Sequence, residues 1–241
     1  MLDKSGYYNY NKKMRISNKA LIYTAVLFCG AFFPASSSFS QQEPLETIYY
    51  DIRPVGESVY KDFGPIEYHG EKARLTIFET KVPGFRDKEV IFSEEATDLP
   101  ILVQRDLTIL LRNENITEEY SPKKHSFKLT KFVGGKKAEE YSIKGKGPIQ
   151  NAILVPFSLR KKPDLKIGST LDIILPGEFK VKLVSIEDIA VPAGKFNTYH
   201  FTSQPPKFEI WISTDSSRVP VKIKGLSGFP YTLEMKKREV R

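Results

Sequence analysis

Apolar and polar residues alternate through the C-terminal third of the chain. From Phe179 to Ile223 the alternation breaks only where turn-forming residues gather, at Pro192 to Gly194, Pro205-Pro206 and Asp215 to Arg218. A period of two punctuated in this way predicts successive antiparallel strands and hairpins. Leu171–Leu175 should pair with Phe179–Val184 across Pro176-Gly177. Lys195–Thr202 should pair with Lys207–Ser213 across Pro205-Pro206, with Pro220–Lys224 and Tyr231–Lys236 following.

The upstream pattern is weaker. Leu45–Arg53 reads as a strand ended by Pro54 and Gly56, and Ile66–His69, Ala73–Phe78 and Glu89–Phe92 read as shorter ones. Leu107–Arg112 (LTILLR) is apolar at alternate and adjacent positions, which predicts a central strand covered on both faces. His125–Phe132 and Ala138–Ile143 flank Gly134-Gly135 as a hairpin. Ala152–Leu159 is apolar but holds Pro156, so it predicts a short helix or an irregular crossing.

There is no long amphipathic helix, no internal repeat and no linker. Strand-length segments at short spacing predict an all-β fold: a single antiparallel, strongly curved sheet or incomplete barrel, with at most one short helix. Residues 41–241 form that single domain in this reading.

Residues 1–40 read as a signal peptide rather than as part of the fold. Lys12, Lys13, Arg15 and Lys19 precede an apolar run from Ala20 to Phe33, broken by Pro34. Ser38-Phe39-Ser40 supplies small residues for cleavage between Ser40 and Gln41. The apolar run is shorter than the 18 or so residues of a spanning helix, which disfavours an uncleaved anchor. Bulky Phe28 before Cys29 disfavours a lipidation site. Met14 is an alternative start. The implied destination is the periplasm or envelope of a Gram-negative-type bacterium, reached through a Sec-type signal.

Cys29 is the single cysteine, so residues 41–241 offer no disulfide, thiolate nucleophile or cysteine–metal site. That stretch is long enough to bury a core without staples. The formal charge of the whole chain is +8. It is unevenly spread: residues 41–122 carry 9 basic and 17 acidic side chains, residues 123–162 carry 11 and 2. Lys123, Lys124, Lys128, Lys131, Lys136, Lys137, Arg160, Lys161 and Lys162 are the candidate basic surface. They would meet anionic head groups or an acidic envelope polymer, or else fill the wet face of strands and pair with the acidic first third. No nucleic-acid motif is present.

Phe157 to Leu165 with Gly168, Glu187, Val191 to Phe196, Ile210 to Ser213 and Arg218 to Val221 together resemble an uncharacterised family, the domain-of-unknown-function family 3108 of exported bacterial proteins. The resemblance covers about residues 150–235 and implies an exported β-rich protein with no catalytic residues to transfer. The motif positions Glu187, Pro192, Gly194, Phe196, Trp211 and Pro220 each have a structural role at hand. Gly194 suits a turn with positive φ, Phe196 and Trp211 suit core anchors, and Pro220 suits a strand start. Glu187 would orient the turn or pair with a lysine.

His69, His125 and His200 stand at no metal-ligand spacing, and no cofactor motif is present. Gly225-Leu226-Ser227-Gly228 resembles a nucleophile elbow, but its second glycine falls one place early. Adjacent acidic pairs such as Glu94-Glu95 do not amount to carboxylates facing across a cleft. Three readings of function follow, in order. The first is a non-catalytic envelope protein holding a lipid, lipid-linked glycan or other amphiphile in the curved sheet. The second is a structural or interaction module that binds another envelope protein. The third is a hydrolase of envelope polymers.

Overall fold

The computed structural model describes residues 42–226 and 230–241. Fourteen strands follow one another along them. In the first half these are β1 (Glu46–Arg53), β2 (Glu57–Tyr68), β3 (Glu71–Val82), β4 (Phe85–Glu94), β5 (Pro100–Ile109), β6 (Arg112–Ser121), β7 (Ser126–Val133) and β8 (Lys136–Lys144). A short helix, α1 (Val155–Leu159), intervenes. Then come β9 (Thr170–Leu175), β10 (Gly177–Val191), β11 (Gly194–Gln204), β12 (Phe208–Ser213), β13 (Pro220–Gly225) and β14 (Tyr231–Val240).

All fourteen belong to one antiparallel sheet in the order β8-β7-β6-β5-β4-β3-β2-β1-β14-β13-β12-β11-β10-β9. Each strand pairs with its sequence neighbour except that β8 and β9 do not pair, and at the middle β1 pairs with β14 through Tyr50↔Met235 and Ile52↔Leu233. The two edges, β8 and β9, are therefore consecutive in the chain. Among the described residues no ladder joins them, so the sheet curves without closing. Lysines at both ends of β8 keep that edge polar and discourage pairing with a second chain.

The connection between the edges fills the concave face. A turn at Asn151 precedes α1: its side-chain Oδ1 accepts the Ile153 N–H at 2.9 Å, and its carbonyl accepts the Leu154 N–H at 3.1 Å. Pro156 lies in the first turn, where a helix tolerates a missing N–H. Phe157 stacks on Tyr60 of β2 with ring centroids 3.6 Å apart. Leu154 packs with Ile91 of β4 and Val103 of β5. Val155 and Leu159 pack with Ile173, Val181, Leu183, Phe201, Ile210 and Ile212 of β9 to β12. One five-residue helix thus touches both halves of the sheet, which is only geometrically consistent with a sheet wrapped around it.

The prediction over Leu107–Arg112 is corrected. The segment spans the β5–β6 hairpin: Leu110-Leu111 is the turn, and Leu111 is fully exposed. Strands β2 to β6 are also longer than their apolar stretches suggested. Their concave side carries Asp62, Glu89, Arg105, Glu114 and Glu118, which are buried or half-buried, so polar side chains stand where the pattern expects apolar ones.

Candidate functional site

Ionised side chains line the concave face beside α1. Glu46 of β1 accepts two hydrogen bonds from Arg160, at 2.6 and 3.2 Å, and one from Arg238 of β14 at 2.6 Å. Burial by itself would raise the Glu46 pKa, but hydrogen bonds and charge from the two guanidiniums outweigh it and hold the carboxyl below its usual range. Arg160 also donates to the Ser217 carbonyl at 2.9 Å. Alongside, Arg74 grips Asp62, and Lys161 pairs with Asp98 at 2.6 Å. These groups surround a hollow of about 260 Å³, lined also by Tyr60, Ser93 and Phe157. The Ser93 hydroxyl is buried and has no hydrogen-bond partner among the described residues.

A second cluster sits further along the same face. Arg105 of β5 contacts Asp87, Glu89 at 3.4 Å and Glu118 at 3.9 Å. Three carboxylates share one guanidinium in a buried place. Burial, with the neighbouring Asp87 and Glu118 charges, outweighs the pull of Arg105 and raises Glu89 to about 7. Burial raises Glu118 as well, against hydrogen bonding from Tyr120 at 2.7 Å.

Several motif residues meet around Trp211. Trp211 donates its indole N–H to Glu187 at 2.7 Å and stacks on His200 with centroids 4.2 Å apart. The register rows Ser185↔His200 and His200↔Trp211 set them side by side. The Trp211 and Ser185 hydrogen bonds and the His200 charge hold Glu187 below its usual pKa. Phe196, Ile189 and Val191 pack with Trp211 in the larger core cluster. Gly194 has φ +133, and the Ala193 N–H donates to the Met235 carbonyl at 2.9 Å, so this turn folds against β14. Pro220 opens β13, where its carbonyl accepts the buried Tyr50 hydroxyl at 2.8 Å. The role of Glu187 as an acceptor for Trp211 was not legible; only pairing across strands brings positions 187 and 211 together.

Ser185, His200 and Glu209 superficially suggest a nucleophile set. His200 Nδ1 lies 3.4 Å from the Ser185 hydroxyl, and its Nε2 lies 3.5 Å from Glu209. The Ser185 hydroxyl donates to Glu187 instead, at 3.1 Å. None of the three lines the hollow beside α1. His69 and His125 occupy separate turns with φ of +52 each.

The basic candidates do not form one patch. Lys123 and Lys124 lie in a 3₁₀ turn before β7, whereas Lys136 and Lys137 follow its far end, roughly 25 Å away at the usual strand rise. Lys128 pairs with Glu119 and Glu140 at 3.6 and 3.5 Å, and Lys131 with Glu114 at 2.5 Å. Arg160 and Lys161 belong to the concave cluster, and Lys162 is exposed beside it. The signal segment with Ser40-Gln41, and Ser227-Gly228 of the elbow-like stretch, lie outside the described residues.

No family model matches the chain, and no curated protein matches it. Among solved structures, it is similar to a beta-barrel-like protein of the domain of unknown function DUF1849 from Brucella abortus. The TM-score is 0.52 at 10% identity, over 83% of this chain and 99% of that one. A protein with a YmcC-like fold from Bacteroides fragilis aligns at TM-score 0.32 and 9% identity, over 82% and 97%. The likeness to the first defines the fold class, an open β-barrel-like sheet shared with a protein of unknown function. The likeness to family 3108 rests on the motifs alone.

Proposed function

We propose that this chain is an exported, non-catalytic interaction module of the cell envelope, working through its outer surface rather than through an internal ligand site. The observation that carries the reading is α1. Leu154, Val155, Phe157 and Leu159 occupy the concave face that a lipid would need, and Arg160 ties the segment to Glu46. The hollow left beside them is small and lined by charged groups, which an acyl chain would have to desolvate. Export rests on the leader pattern of residues 1–40.

Native mass spectrometry of protein purified gently from its own envelope tests this. The expected result is a bare mass. Reproducible extra mass that organic solvent removes would restore the lipid-carrier reading, with α1 as a displaceable plug.

A further inference from the structure

Among the exposed large apolar side chains, Val55, Ile109, Leu110 and Leu111 gather at one end of the sheet, while Leu45 and Val240 lie at the other. The hairpins β1–β2, β3–β4, β5–β6 and β7–β8 turn at the former end. Three neighbouring tips are apolar: Pro54 to Gly56, Pro83-Gly84 and Leu110-Leu111. Leu111 is 100% exposed, Leu110 75%, Val55 56% and Ile109 41%.

The tips form one ledge. The Leu110 N–H donates to the Gly84 carbonyl at 2.7 Å. A Cβ at Gly56 would stand 2.5 Å from Val82, so the first tip lies against the second. Folding does not call for leucine here. Leu110 has φ +55, a conformation whose ordinary occupant in a two-residue hairpin turn is Gly or Asn. Its neighbour Leu111 buries none of its surface.

Cations flank the ledge. Arg53, Lys81, Arg86, Arg112, Lys136 and Lys137 are exposed at or beside the four tips of β1 to β8. Of the nearby acids, Glu57 is exposed and lies 3.6 Å from Lys81, while Asp87 and Glu114 are turned inward. Arg53 pairs with Glu234, Arg112 with Glu114 and Lys137 with Glu140. Among the described residues, Arg86 and Lys136 have no carboxylate partner.

We propose that this ledge docks on an anionic lipid bilayer, with Leu110 and Leu111 entering the acyl boundary and the cations lying among the head groups. The leucines protrude instead of lining a groove, and a bilayer accepts protrusions where a protein partner would need a matching cavity. Apolar side chains ringed by cations complement an anionic interface in both respects. This goes beyond the interaction-module reading and does not depend on it.

The test places a nitrobenzoxadiazole label on Leu111→Cys in the full chain carrying Cys29→Ser, with a control label on Glu71→Cys at the other end of the sheet. Vesicles of phosphatidylcholine, with and without phosphatidylglycerol, are titrated in. The label at 111 should shift to the blue and brighten on the anionic vesicles, while the label at 71 stays unchanged. Arg86→Glu with Lys136→Glu should raise the lipid midpoint at least about tenfold, since each surface cation contributes about 1 kcal/mol to binding an anionic membrane. A label at 111 that stays in water on both vesicle types overturns the proposal, as does one that shifts equally on both. A shift that follows protein concentration without lipid also overturns it, assigning the leucines to a second copy of the chain.

Discussion

Glu46 and Arg160 stand 114 positions apart in sequence, yet their carboxylate and guanidinium meet in a two-pronged pair inside the curved sheet. That pair joins the central strand β1 to the connection between the two sheet edges. Glu46→Gln would leave Arg160 and Arg238 without their counter-charge in a largely buried place. Urea unfolding should show a loss of about 3 kcal/mol, the scale for breaking a buried pair from one side. A loss below about 1 kcal/mol would mean that water already screens the cluster.

Glu89 gives the fold an unusual pH response. Its folded pKa, about 7, lies above the ordinary 4.5, so the folded state holds the proton more tightly than the unfolded chain. Its contribution is therefore fully present below pH 4.5 and is lost as pH rises through 7. Glu89→Gln should remove that decline, so the variant gains stability relative to the parent between about pH 5 and 8. Equal slopes for the two proteins across that window would refute the assignment.

Trp211 is the sole tryptophan, so its emission reports directly on the motif cluster. Trp211→Phe keeps a ring against His200 but removes the donor to Glu187. A cost of about 1 to 2 kcal/mol is expected, the worth of a hydrogen bond to a charged group at a partly exposed site. Glu187→Gln should leave the fold intact and shift the Trp211 emission maximum. An unchanged spectrum would show that the contact is absent in solution.

The two unusual turns should respond in opposite directions. Gly194→Ala forces a side chain into φ +133 and should cost about 1 to 3 kcal/mol in thermal unfolding. Leu110→Gly relieves a leucine at φ +55 and should cost nothing or raise the melting temperature. A destabilised Leu110→Gly variant would mean that the leucine is needed for the fold, not for a surface contact.

The C-terminal half was legible because its strands obey a two-residue rhythm: Val181 and Leu183 face the core while Lys180 and Lys182 face water. The same rule failed in β6, whose concave side carries Glu114 and Glu118 opposite Leu107 and Val103. Buried carboxylates there are balanced by Arg112 two residues away and by Arg105 and Lys131 from the flanking strands, and a local window cannot see those cross-strand partners. LTILLR misled for the converse reason, since its most apolar pair sits in an exposed turn. Of the motif cluster, the turn at Gly194 and the anchoring role of Trp211 followed from residue type. The Glu187–Trp211 bond did not, because it depends on the register of three strands.

Amide hydrogen exchange across α1 tests most directly whether the concave face is permanently filled. The Phe157 and Ser158 N–H groups donate to the Leu154 carbonyl at 3.1 and 2.8 Å, beneath the wrapped sheet. If the interior is closed, these amides exchange only as slowly as those of β10 and β11, through global unfolding. If they exchange within seconds while β10 and β11 stay protected, the segment lifts away on its own, and the filled-interior account is contradicted.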